Sequence, residues 1–198
     1  MPEIADLVSD SPATYISVAA FVTLDAIIPI APSETLLVAG GILVADGELS
    51  LALLMIAAVT GALAGHSVLF VLGARFGPAL RRRLFSTTSA EQRVARASET
   101  LRERTWLLIV ADFLPAGRTA AMFAAGGLGL AVGRFYAFIV PGAFIWAGFY
   151  IALGYAGGSA FETEGLLPFA VSLGAAFAIA GLAEAIQRLR HLARRHRR

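Results

Sequence analysis

The chain has 198 residues, 58% of them hydrophobic and only 15% charged, with a mean hydropathy of +0.74 and no cysteine. A soluble domain carries about 25% charged residues, so this chain lacks the charge to coat a water-facing surface. Disulfides and thiolate metal sites are excluded as well. The net charge of +2 hides a strong segregation, in which all 16 basic residues are arginine.

Three stretches, 49–74, 135–161 and 165–183, contain no Asp, Glu, Lys or Arg. Each reaches the roughly 18–20 residues that cross a hydrocarbon core. The expected fold class is therefore an all-α integral membrane protein, a single domain over 1–198. Taken in chain order, 1–24 begins acidic, lacks the basic region of a cleaved signal peptide and reads as an N-terminal helix. Segment 25–45 contains "IIPIAPSETLLVAGG", in which Glu34 sits alone among aliphatics beside Pro29 and Pro32. Each proline breaks a helix, and the eleven residues between Glu34 and Asp46 make roughly half a span. This is the pattern of a re-entrant hairpin.

After the first span at 49–74, residues 79–104 are polar and arginine-rich, and are expected to form a solvated amphipathic segment. Segment 105–133 starts and ends beside arginines and is broken by Asp112, Pro115, Gly117 and Arg118. From Arg118 to Arg134 a helix would cover about 24 Å, short of a core of roughly 30 Å. A second re-entrant hairpin is expected there. The spans 135–161 and 165–187 follow, with Glu184 expected to pair with a nearby arginine, and then the tail 188–198.

The arginines orient the chain. Those at 75–104 and in "QRLRHLARRHRR" belong in the cytoplasm, and the acidic connections at 46–48 and 162–164 outside. The two hairpins then enter from opposite faces. They also share a proline, a charged residue, a threonine and a Gly-Gly ("PSET…AGG" and "PAGRT…AGG"), the signature of an inverted repeat with a midplane site. Basic runs also occur in nucleic-acid binding, but beside spans they mark topology and the lipid surface, so no nucleic-acid partner is expected. "GGLGLAVG" lacks the strand and acid of a dinucleotide fold. Gly61/Gly65 and Gly73/Gly77 are small-residue pairs that allow close helix packing. Trp106, Tyr136 and Tyr155 read as interfacial or packing aromatics.

In family order, the chain carries Asp25, Pro29, Pro32, Ser33 and Glu34, then "GALAGHSVLFVLGARFG" from Gly61, then "DFLPAGRT" from Asp112, then Gly142, Trp146, Gly154, Tyr155 and Gly158. These residues resemble the signatures of the DedA family, related to the VTT proteins of eukaryotes. Two positions depart from that pattern: His66 stands where the family usually has Asp, and Asp112 where it has its first Arg. The pair has exchanged sign, which points either to facing partners of reversed polarity, with His66 a proton switch, or to a neutral His66 bonded to a carbonyl.

The resemblance implies transport of a lipid phosphate between leaflets, with undecaprenyl phosphate or a phospholipid as the substrate and protons as coupling ions. Substrate-binding candidates are Arg118, Glu34, Thr119 and Thr35; proton-coupling candidates are Glu34, Asp25, His66 and Asp112. Ionisable groups in a membrane are costly, which favours function over accident. The alternative for Arg118 and Glu34 is a structural salt bridge joining the hairpins, with function put ahead of it; for Asp25, function is not put ahead of a helix cap. An enzyme on lipid phosphates would need a nucleophile, base or metal cluster. Only His66 among the histidines lies in the apolar core, and no carboxylates have metal-ligand spacing, so neither catalytic residues, metal nor cofactor are expected. A structural membrane protein of the envelope is the remaining alternative. The expected location is a bacterial inner (plasma) membrane, multi-pass, with the C-terminus cytoplasmic; a homo-oligomer is open.

Overall fold

Where the helices break determines what the fold can hold. The structure, a computed structural model, describes residues 10–28, 33–84 and 88–160. Among the described residues there are seven α-helices and no strand. Helix α1 (Pro12–Ile27) is capped by Ser11, whose side chain accepts from the Thr14 amide at 3.4 Å. It ends at Ile28, which is extended (φ −126°, ψ 96°), as a residue preceding a proline prefers. Helix α2 (Ser33–Ala45) follows, and a turn with Gly47 at φ +76°, a conformation glycine adopts freely, leads to α3 (Leu51–Leu84). Then come α4 (Thr88–Glu103), α5 (Leu107–Asp112), α6 (Pro115–Gly127) and α7 (Val132–Ala160).

Two helices are long and apolar enough to span a membrane, over Leu51–Ala79 and Val132–Gly157. They correspond to the first two expected spans. The span expected at 165–187, the tail 188–198, Glu162, Glu184 and the prolines 29 and 32 lie outside the described residues.

Several boundaries differ from expectation. The N-terminal helix does not stop at 24: α1 continues through Asp25 to Ile27, because Ala26 and Ile27 can still propagate it before the proline. Residues 79–84 belong to α3, which carries Pro78 inside it, and "ALRRRL" is composed of strong helix formers. In 105–133, Pro115 starts α6 rather than merely ending its predecessor, since its missing amide costs nothing at a first helical position. Gly117 and Arg118 then fall inside α6, and only Phe113 and Leu114 separate it from α5.

The long helices pack in a reciprocal pattern. Helix α3 lies against α1 and α6, whereas α7 lies against α5 and α2. Thus each long helix contacts the first short helix of its own half and the second short helix of the other half. The contacts match residue by residue. A Cβ on Gly41 would strike the Ile151 carbonyl, and one on Gly154 the Val38 carbonyl. On the other side, Gly126 faces the Phe70 carbonyl and Gly73 the Phe123 carbonyl in the same way. In all four cases the carbonyl lies three residues before the facing glycine. Gly61 and Gly65 also press closely on Ala19, Thr23 and Ala26 of α1, so the small-residue pairs do bring helices together.

The buried apolar residues form two clusters. One joins α1, α2, the first half of α3 and the second half of α7, around Val22, Leu37, Leu54 and Trp146. The other joins α5, α6, the second half of α3 and the first half of α7, around Phe70, Leu108, Met122 and Phe135. Large apolar side chains such as Ile16, Leu24, Ile56, Val71 and Ile145 point outward instead. Exposed large apolar side chains on α1, α3 and α7 suit a lipid solvent. Trp106, Tyr136 and Tyr155 are exposed too, as interfacial aromatics should be. The described side chains of α4 are largely exposed.

Candidate functional site: a buried arginine shared by two carboxylates

Asp25 lies in the last turn of α1, Ser33 and Glu34 open α2, and Arg118 lies near the start of α6. The helix breaks therefore bring together residues that the sequence separates by up to 93 positions. Arg118 is 2% exposed, and its Nη2 donates to Asp25 Oδ2 at 2.7 Å. Its Nη1 stands 3.9 Å from Glu34 Oε1, and the Glu34 side chain is 18% exposed. The guanidinium also lies over the Trp146 ring, 5.4 Å from the centroid, a cation–π contact in a desolvated place. Arg118 Nε has no hydrogen-bond partner among the described residues.

Asp25 has a second task. Its Oδ2 accepts from the Ser33 hydroxyl at 2.5 Å and from the Ser33 amide at 3.4 Å. It does cap a helix, as the sequence allowed, but the helix is α2, across the break, rather than its own. The carboxylate thus satisfies an N-terminal amide and neutralises an arginine with one oxygen. Expecting Glu34 as the main partner of Arg118 underrated Asp25, which is nearer and more buried. Thr119 donates to the Ala26 carbonyl at 3.1 Å, tying α6 to the end of α1. Thr35 is half-buried one residue beyond Glu34, and among the described residues no hydrogen bond joins it to this group.

His66 and Asp112 do face each other. His66 Nε2 and Asp112 Oδ1 are 3.1 Å apart, with side chains 0% and 2% exposed. The alignment is too poor for a hydrogen bond, and neither atom has another partner among the described residues. The contact is one of proximity. No carbonyl accepts from His66 there either, since Nδ1 is also unpartnered. Asp112 lies within electrostatic reach of the arginine site: Arg118, Asp25 and Asp112 all act on Glu34, and Glu34, Arg118 and Asp112 all act on Tyr150.

Sequence reasoning missed Ser33 and Trp146 as members of the group. Both sit in the motifs quoted above, but a serine before a glutamate and a tryptophan in an apolar span carry no local sign of a charged neighbour. Among the described residues, no three His, Cys, Asp or Glu residues are placed to hold a metal ion.

Residues 31–156 match the model of the VTT domain. The chain is 28% identical over 145 residues to the uncharacterized membrane protein ML0287 of Mycobacterium leprae, covering 73% of this chain and 64% of that protein. It is 29% identical over 130 residues to the inner membrane protein YohD of Escherichia coli, covering 65% of this chain and 66% of that protein. In both cases the chain spans slightly under two thirds of the relative's length. No solved structure matches. With the domain match covering more than half of the chain, and taking in Glu34, His66, Asp112 and Arg118, the chain belongs to the VTT-domain family of membrane proteins, as its resemblance to the DedA proteins implied.

Proposed function

We propose that this chain carries a lipid phosphate between the leaflets of a bacterial plasma membrane, with protons as the coupling ions. The observation that carries the reading is Arg118: buried, held by two carboxylates, and placed where two helices break. Its planar fork matches a phosphate as well as it matches a carboxylate. In the resting arrangement Asp25 and Glu34 occupy that fork. A lipid phosphate, such as undecaprenyl phosphate or a phospholipid headgroup, competes with them for it.

Charge accounting supplies the coupling. Asp25, Glu34 and Asp112 are three carboxylates, facing one guanidinium and one imidazole. An uncompensated buried charge costs several kcal/mol. An incoming phosphate adds negative charge and displaces a carboxylate, which must then take up a proton. Glu34 is the exchangeable one, because Arg118 holds it more loosely than it holds Asp25 and it is the most exposed of the three. His66 beside Asp112 is a second proton site.

The reciprocal packing of α1–α2–α3 and α5–α6–α7 supports an inverted repeat, with α1–α2 and α5–α6 as its re-entrant hairpins. At 1.5 Å per residue, α2 and α6 are each about 20 Å long, roughly two thirds of a hydrocarbon core. On this reading the 75–104 segment and the C-terminus face the cytoplasm.

The test is leaflet exchange of labelled polyprenyl phosphate and phospholipids in vesicles, with and without an imposed proton gradient. Arg118→Lys keeps the charge but loses the bidentate fork, so exchange falls sharply while the protein still inserts. Glu34→Gln mimics the protonated state and removes gradient dependence more than it removes binding. Chemical alteration of the lipid would make the protein an enzyme, and no exchange at all would make it a scaffold. Near-normal, gradient-dependent exchange in both variants would place the site elsewhere.

A further inference from the structure

Arg118 and Asp25 are almost fully buried, so a headgroup has to cross a barrier to reach them. Trp146, the inner wall, is 0% exposed and covers the guanidinium. From it a chain of ring contacts leads outward. Trp146 meets Tyr150 at 5.8 Å between centroids, and Tyr150 meets Phe149 at 5.1 Å, edge to face. Phe113 bridges the outer pair, 5.9 Å from Phe149 and 6.4 Å from Tyr150. Exposure rises along the same line, from Trp146 and Tyr150 (5%) to Phe149 (36%).

Two features make this aromatic row a door rather than a wall. Phe113 is one of the two non-helical residues between α5 and α6, so it can turn without unwinding a helix. Leu114, the next residue, is the N-cap of α6, and its carbonyl accepts the Arg118 amide at 2.8 Å, so Phe113 lies one residue before the arginine's own turn. The inner ring of the row, Tyr150, is within electrostatic reach of Glu34 and Arg118, so a headgroup passing it arrives at the carboxylate that is exchanged. A lipid's acyl chains must stay in the bilayer while its headgroup moves. Entry through a seam that opens laterally to the bilayer satisfies that requirement.

We propose that Phe113, Phe149 and Tyr150 form a lateral gate through which the phosphate headgroup of a bilayer lipid reaches Arg118. The inference rests on the lipid-transport reading, but it concerns access and can be read without transport. The natural chain has no cysteine, so Glu34→Cys gives a single reporter at the site. The probe is a vesicle of neutral phospholipid containing a small fraction of phospholipid with a maleimide on its headgroup. Labelling of the reporter by that lipid is expected to speed up severalfold with Phe149→Ala and to slow with the bulkier Phe149→Trp. Ile145→Ala, an exposed position on the same helix outside the row, is expected to leave the rate unchanged. In the chain with Glu34 intact, cysteines at Phe113 and Phe149 joined by a short bifunctional thiol reagent are expected to stop exchange.

Equal labelling rates in the parent, Phe149→Ala and Phe149→Trp would overturn the gate, as would undiminished exchange with the row cross-linked. If labelling follows the gate but no lipid is exchanged, the gate stands and the transport reading falls. If exchange proceeds while neither perturbation of the row matters, transport stands and the gate falls.

Discussion

Replacing Asp25 by asparagine removes the charge opposite Arg118 while keeping the shape of the side chain. In the native protein the two groups are 2.7 Å apart, with side chains 4% and 2% exposed. Removing one partner of such a pair leaves the other buried and uncompensated, at a cost of about 3–5 kcal/mol. Two features hold the expected loss near about 3 kcal/mol, the lower end of that range. Glu34 stands 3.9 Å away and can close on Arg118, and the new amide oxygen can still accept from the Ser33 hydroxyl. Asp25→Ala loses the cap of α2 as well, which adds about 1 kcal/mol. Glu34→Gln removes a longer, less buried contact and is expected to cost less than Asp25→Asn. Reversible unfolding in mixed detergent micelles gives these differences, with the fluorescence of Trp146, stacked on Arg118, as a local signal. A double-mutant cycle with Arg118→Gln isolates the pair, and a coupling at the upper end of about 0.5–3 kcal/mol is expected. If Asp25→Asn is no more damaging than Glu34→Gln, Asp25 is not the principal partner of Arg118 and the charge accounting above is wrong.

Three further outcomes are expected. Combining His66→Asp with Asp112→Arg restores a facing pair of opposite sign, so the double variant survives detergent extraction better than either single one; additive damage would separate the two residues. Gly73→Val and Gly154→Val each drive a side chain into a facing carbonyl and are expected to cost about 1–3 kcal/mol or more, whereas Gly133→Ala meets open space and stays within about 0.5 kcal/mol; folded yield in detergent checks both, and unequal effects at Gly73 and Gly154 would count against their equivalence. A cysteine at Asp46 should react with an impermeant thiol reagent from outside intact cells, and one at Glu99 only after permeabilisation; the opposite labelling would invert the topology.

Much of this protein is local chemistry and was legible residue by residue. Charge-free runs announce α3 and α7, and Pro115 announces the break before α6, because hydropathy and the missing proline amide act within a few positions. Glu34 and Arg118 stand out for the same reason: an isolated charge in an apolar run is costly in lipid and calls for a partner. The reversed signs of His66 and Asp112 even suggested their pairing, through the family pattern. The ends of the helices were less legible. Ile27 and Leu84 extend their helices beyond the expected limits, since helix formers continue a helix until something stops them, and Pro78 does not stop α3.

What the chain could not reveal along its length is which acid holds the arginine. Asp25 and Glu34 are both carboxylates near a proline, and composition ranks neither. Their order is decided by how α6 crosses α1, where Thr119 reaches the Ala26 carbonyl and brings the guanidinium beside Asp25. The close approach of α6 to α3 and of α2 to α7 depends in turn on glycines that meet carbonyls from the other half of the chain. A single sequence shows that a glycine is small; only the packed structure shows which backbone occupies the space it leaves. The same holds for Trp146, an ordinary apolar-span aromatic until folding lays it over a buried cation. Burial and charge pairing are properties of neighbours, and in this protein the neighbours of the site are brought together across as many as 93 residues.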